Sequence, residues 1–380
     1  MQAFAVWASF DCGKEARPLA GVDSRRYDSI DALRAIAVLI VVAFHFTGRF
    51  PADYLHFDNA IELPRFGRIG VYLFFVISGY CIAMTAERSS TIGLFLLRRF
   101  ARLQPALVAC ILVTMAAVSL LGLPGRDVSF ADAVRNAFWY PLITRTPFVD
   151  GAYWSLMEEA KFYVAFASIY YLAPRQSLPI FGAYTALGAT AFFASAWPNH
   201  PALVYPYLGI ADPYFLFPSS LFFLMGIAAY RSSALIQTVV AAACIGVVFA
   251  VWGRTEYALS IALVSVFGLI GVQSRGLRIW RPITFIGLIS YPLYLLHQNI
   301  GIALIRALYP FVVNSYARIG IAAVVVIGLA ALVSWSVEHR FRRWIEDLVA
   351  GLARRITGRA KEPFSQARKP RPIPTDHPLP

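Results

Sequence analysis

The chain has 380 residues, of which 58% are hydrophobic and only 14% charged, against about 25% charged residues in an ordinary soluble domain. That balance excludes a soluble globular enzyme. The formal net charge of +13 is read as the excess of Lys and Arg that sets topology on one side of a membrane, so no nucleic-acid partner is expected.

Ten stretches are apolar and long enough to cross a hydrocarbon core of about 30 Å as helices. The sequence therefore predicts an all-α polytopic membrane protein with spans over roughly 29–47, 67–86, 104–123, 153–173, 178–197, 213–230, 234–252, 256–272, 282–308 and 317–338. Ahead of them, the apolar run from Ala3 to Phe10 has no basic residues before it, so no cleaved signal peptide is expected. The segment 130–143 (FADAVRNAFWYPLI) is too polar to cross and is expected to lie along the interface or re-enter. Beyond Arg340 the chain is basic, then Pro-rich from Pro363, and is expected to be disordered. The organisation is thus a segment 1–28, a membrane domain over 29–343 and a tail over 344–380. Lys and Arg concentrate in the first segment, the loop after the second span and the tail, which places both termini in the cytoplasm of a cytoplasmic (inner) membrane protein. Cys12, Cys81, Cys110 and Cys244 are scattered, with neither metal-ligand spacing nor a disulfide framework, and no metal is expected.

Charged groups inside spans cost at least about 2.5 kcal/mol each on insertion scales and need a partner or a purpose. In the first span, Arg34 and His45 are separated by three helical turns plus about 20°, so they share one face about 16 Å apart along the axis. One reading is a path with a cation at the entrance for an anionic donor and a base further in, a role that suits histidine. The other is a snorkelling arginine and an interfacial histidine. Ser78-Gly79 in the second span reads best as a small-residue packing point. Arg99 and Arg102, in the loop before the third span, lie on one helical face and suit phosphate oxygens, although topology-setting charge gives the same pattern. In YWSLMEEAKFY, Glu158 pairs with Lys161 three residues on. Glu159 points about 100° away, on the face with Ser155, Phe162 and Tyr163, and is free to orient a histidine or bind a substrate hydroxyl. In LISYPLYLLHQNI, Ser290, Tyr294 and His297 share a face, with a kink expected at Pro292. His297 in isolation reads as a helix–helix hydrogen bond.

Taken in order, IDALRAIAVLIVVAFH, GVYLFFVISGY, RRFARLQP, YWSLMEEAKFY, ISYPLYLLHQ and VEHRF resemble the acyltransferase-3 family of integral membrane O-acyltransferases over residues 29–343. The resemblance implies a ten-helix core and transfer of an acyl group, by default acetyl, from acetyl-CoA or another acyl-CoA as co-substrate to a hydroxyl of a saccharide or glycolipid acceptor. By position, His45 is implied as the catalytic histidine with Arg34 as its motif partner, Arg99 and Arg102 as the donor-binding pair, and Glu159 as the family glutamate. Asp31, Ser78, Tyr80, Trp154, Ser155, Tyr291, Tyr294 and His297 fall in the supporting motifs. Arg340 stands where relatives commonly have proline. No esterase-like domain follows the last span, so either direct acylation or a separate extracytoplasmic transferase partner is expected. Glu159 is expected to orient His45 or the acceptor. Two other classes compete on the residues alone. A transporter or flippase would use the same intramembrane ions, but the chain has no repeat symmetry. A polysaccharide ligase would favour larger loops.

Overall fold

A computed structural model describes residues 28–49, 67–139, 141, 144, 146–195, 216–253, 255–274 and 279–338. The expected N-terminal segment and tail, and Arg340, lie outside these residues. Among them the chain is helical throughout, with no strand. It is an all-α polytopic membrane protein.

Helix α1 (Asp28–Phe44) continues as a single π turn over His45–Arg49. It is followed by α2 (Arg68–Glu87) and α3 (Ile92–Leu121). Thr91 caps α3 by accepting from the Leu94 amide at 3.2 Å. The Arg-bearing segment expected as a loop is therefore the first part of a continuous 30-residue helix, about 45 Å long. Its polar face lowers hydropathy without interrupting backbone bonding, and Pro105 is accommodated inside it. Gly122, with φ of +71°, ends the helix.

A short amphipathic helix, α4 (Phe130–Ala137), is capped by Ser129 and tied back to α3, where Trp139 Nε1 donates to Gln104 Oε1 at 2.5 Å. A 3-10 turn over Gly151–Tyr153 leads into α5 (Trp154–Leu172). Then come α6 (Ser177–Ser195), α7 (Ser219–Arg231), α8 (Ala234–Trp252) and α9 (Glu256–Gln273). The expected ninth span is two helices, α10 (Arg281–Leu288) and α11 (Ser290–Ala307), bent by 72°. The bend falls at Ile289, ahead of Pro292. That proline sits in the first turn of α11, where a missing N–H costs nothing, so it does not kink the helix as expected. Helix α12 (Ser315–Val333) ends in a π turn over Ser334–Glu338.

Seven of these helices are long and apolar enough to cross a membrane, and the bent pair makes eight. Of the ten expected spans, α5 carries three charged residues and α7 has thirteen described residues. The bundle is layered. In α2, 83% of the apolar stretch is buried, against 11% in α8, so α2 is central and α8 faces outward. Helices α2 and α7 cross in direct backbone contact, where a Cβ on Gly79 would run into the Phe223 carbonyl and one on Gly226 into that of Val76. The small residue expected at Gly79 is thus a packing requirement. Cys110 and Cys244 are both buried.

Candidate active site

Helices α1, α2, α3, α5 and α11 enclose a cavity of about 100 Å³. Its polar wall is assembled from five separate stretches of sequence: Arg34, Ser78, Arg99 with Arg102, Ser155 with Glu159 and Tyr163, and Ser290, Tyr291 and Tyr294. The remaining wall is apolar and includes Phe74, Phe75 and Leu103. Three guanidinium groups therefore converge with one carboxylate on a space walled by hydrocarbon. Asp31, buried beneath Arg34, lies 3.4 Å from its guanidinium. The site brings guanidinium groups, which suit anions, together with apolar walls.

Glu158 and Glu159 separate as their 100° offset requires. Glu158 pairs with Lys161 at 2.8 Å. Glu159 turns into the cavity, where its Oε1 accepts from the hydroxyls of both Ser78 and Tyr163. Ser78 thus has a polar partner across the α2–α5 contact, while its neighbour Gly79 serves packing. Tyr163, which shares the Glu159 face by sequence but carries no expected role, helps to hold the carboxylate at 2.7 Å.

His45 does not line this cavity. It meets His297 on α11, with His297 Nε2 2.9 Å from His45 Nδ1 and the two rings 4.8 Å apart. The same Nδ1 is 2.9 Å from the Val41 carbonyl oxygen. Glu159 bonds Ser78 and Tyr163, and His297 bonds His45. Tyr294 stands between the two groups. Its ring borders the cavity, packs edge-on to Phe74 at 5.8 Å and lies 5.6 Å from the His297 ring. Its hydroxyl bonds Ser155 Oγ at 2.7 Å. Tyr291 lines the cavity and donates to the Leu103 carbonyl at 3.1 Å. Tyr80 and Trp154 do not line it. Tyr80 packs edge-on to Tyr230 at 5.3 Å, and Trp154 edge-on to Phe75 at 6.4 Å.

A further contributor escaped the sequence reading. Asp150 is completely buried and accepts from the Ala152 and Asn299 amides at 2.8 and 2.9 Å, while Asn299 Nδ2 donates to the Val149 carbonyl at 2.9 Å. This clamp fixes the start of α5 against α11 two residues beyond His297. Burial pushes the Asp150 carboxyl up to about 6. The signal was present in the sequence, because Asp immediately before a helix start is an N-cap pattern.

An all-helical membrane bundle in which a cation-lined cavity lies beside a hydrogen-bonded pair of histidines, one buried and one half-buried, has the ingredients of an intramembrane group-transfer site. Residues 27–337 match the model of the acyltransferase-3 family, described as an acyltransferase domain, and the chain belongs to that family. It is 30% identical over 154 residues to the acyltransferase MdmB of Streptomyces mycarofaciens, covering 39% of this chain and 40% of that protein. It is 40% identical over 99 residues to the peptidoglycan O-acetyltransferase OatA of Listeria monocytogenes, covering 24% of this chain and 14% of that protein. The chain thus spans less than half the length of either relative. No solved structure matches it.

Proposed function

We propose that the protein transfers an acyl group, by default acetyl, from acyl-CoA to a hydroxyl of a cell-envelope or exported saccharide, with His45 as general base. The observation that carries this reading is the convergence of Arg34, Arg99 and Arg102 on one cavity that is also lined by Tyr294, whose ring lies 5.6 Å from that of His297 in the His45–His297 pair. In this reading both termini face the cytoplasm of the inner membrane, so the arginine end of the cavity opens toward the CoA pool. Guanidinium groups suit the phosphates and 3′-nucleotide of CoA, and the apolar walls suit the pantetheine arm and acyl chain. The thioester reaches His45 past the Tyr294 ring. His45 takes the proton of the acceptor hydroxyl, the new C–O bond forms as the C–S bond breaks, and the proton passes to the leaving CoA sulfur. Glu159 acts at the cavity end, bearing on the donor or on Ser78. A saccharide acceptor is supported by the peptidoglycan named for OatA, and a separate extracytoplasmic transferase is a compatible partner.

The test uses the purified full-length protein in detergent with [14C]acetyl-CoA. His45→Ala is expected to retain donor binding and to lose about 10²–10⁴-fold in transfer, the usual worth of a general base. Arg99→Ala with Arg102→Ala is expected to lose donor binding. Full transfer by H45A would remove the base assignment, and unaltered binding by the double variant would remove the donor site.

A further inference from the structure

We infer that His297 is a positioning residue for His45, fixing the ring orientation and tautomer in which His45 presents Nε2 as proton acceptor. The inference rests on the reading of His45 as the base. It follows from the atoms surrounding the two rings. His297 is fully buried on α11, and its Nδ1 lies 2.7 Å from the carbonyl oxygen of Tyr294. A carbonyl only accepts, so this nitrogen carries the hydrogen, and in the neutral ring Nε2 keeps the lone pair. That lone pair is aimed at His45 Nδ1 from 2.9 Å. Two lone pairs do not bond, so His45 supplies the hydrogen there.

The Val41 carbonyl, 2.9 Å from the same Nδ1, requires the same assignment. Two independent acceptors, one on α1 and one on α11, thus place the His45 hydrogen on Nδ1. The neutral ring then has its lone pair on Nε2. When Nε2 takes a proton, the Nδ1–H is already directed at both acceptors, so the imidazolium is met by dipoles that do not reorganise. The π turn that starts at His45 adds a second sign of a specialised position, since such single turns recur at functional sites. A helix–helix hydrogen bond of this geometry would fix the same tautomers, so turnover, and not the bond alone, decides whether His297 serves His45.

Three variants of the full-length protein separate these roles, with [14C]acetyl-CoA as donor and with water and peptidoglycan fragments as acceptors. His297→Gln places an amide oxygen where Nε2 stood and keeps the acceptor. His297→Asn reaches only the Nδ1 position and leaves His45 Nδ1 with the Val41 carbonyl alone. His297→Ala removes both. H297A and H297N are expected to lose about 10²-fold or more in kcat, with the KM for acetyl-CoA within about threefold, and H297Q to recover at least about tenfold over H297N. A merely structural contact would shift the unfolding temperature but leave the kcat of folded H297N and H297Q alike. The inference is overturned if H297A turns over within about threefold of the unaltered protein, or if H297N and H297Q are equal in kcat, including equally inactive. Should H297A fail to insert, the Gln–Asn comparison decides alone. An active H45A protein would bring down the base reading itself, whereas an inactive H45A beside an active H297A removes only the role given to His297.

Discussion

Replacing Gly79 with Ala adds one methyl group at the point where α2 meets α7. The new Cβ would collide with the Phe223 carbonyl and lie 3.0 Å from that residue's C and Cα. All of these are backbone atoms, so no side-chain rotation clears the clash, and the helices must part by about 1 Å. Overpacking of this kind costs about 1–3 kcal/mol. The neighbouring residue is Ser78, whose hydroxyl donates to Glu159 on α5, so the displacement reaches the cavity. A misplacement of about 1 Å near reacting groups can cost about 10²-fold in rate. The assay pairs thermal unfolding of the detergent-solubilised protein with transfer from [14C]acetyl-CoA, and both should fall. Gly246→Ala on α8, where a Cβ meets nothing within 4 Å, is the control and should be neutral or stabilising by up to about 1 kcal/mol. A G79A protein that unfolds at the unaltered temperature with unaltered turnover refutes the close crossing, as does a G246A protein that falls equally far.

Two further perturbations bear on the clamp and the cavity. The Asp150 carboxyl, raised to about 6 from 3.8, binds a proton in the folded protein at pH values where the unfolded chain has released it. This group therefore costs the fold up to about 3 kcal/mol at neutral pH, a penalty that fades as pH falls through 6 toward 4. The unfolding temperature of the unaltered protein should thus rise relative to Asp150→Asn between pH 7.5 and 5, and a constant difference would contradict the assignment. Tyr163→Phe removes one of two hydroxyls holding Glu159, a bond to a charged group worth about 1.5–3 kcal/mol. Glu159→Gln keeps an oxygen able to accept both, so it should unfold at a higher temperature than Tyr163→Phe while losing turnover. The reverse order of stability would show that charge, rather than the paired hydroxyls, holds the site.

Local periodicity carried much of this site into view before any coordinates. The ion pair of Glu158 with Lys161 and the inward turn of Glu159 both follow from residues a few positions apart on one helix. The polar stretch after the third span was legible as non-crossing for the same reason. What sequence withheld was contact between helices. The pairing of His45 with His297 joins residues 252 positions apart, and Ser78 with Glu159 joins residues 81 apart. Helix ends were misjudged where hydropathy and hydrogen bonding disagree. The arginines of α3 lower the apolar average while the backbone stays helical, and Pro292 signals a break that Ile289 actually makes. Family resemblance supplied the order of motifs but not which carboxylate or imidazole each would touch.

Tyr294 has one more consequence. A passage open from an arginine-lined mouth to the opposite face would be a hole in the bilayer, leaking protons and hydrolysing thioester without a customer. Tyr294 and Phe74 pack edge-on at 5.8 Å beside the imidazoles, so in the proposed reaction the thioester end would have to slip past this aromatic pair. In the proposed reaction such a pair would admit a slender acyl arm from one side while opposing the passage of water and ions.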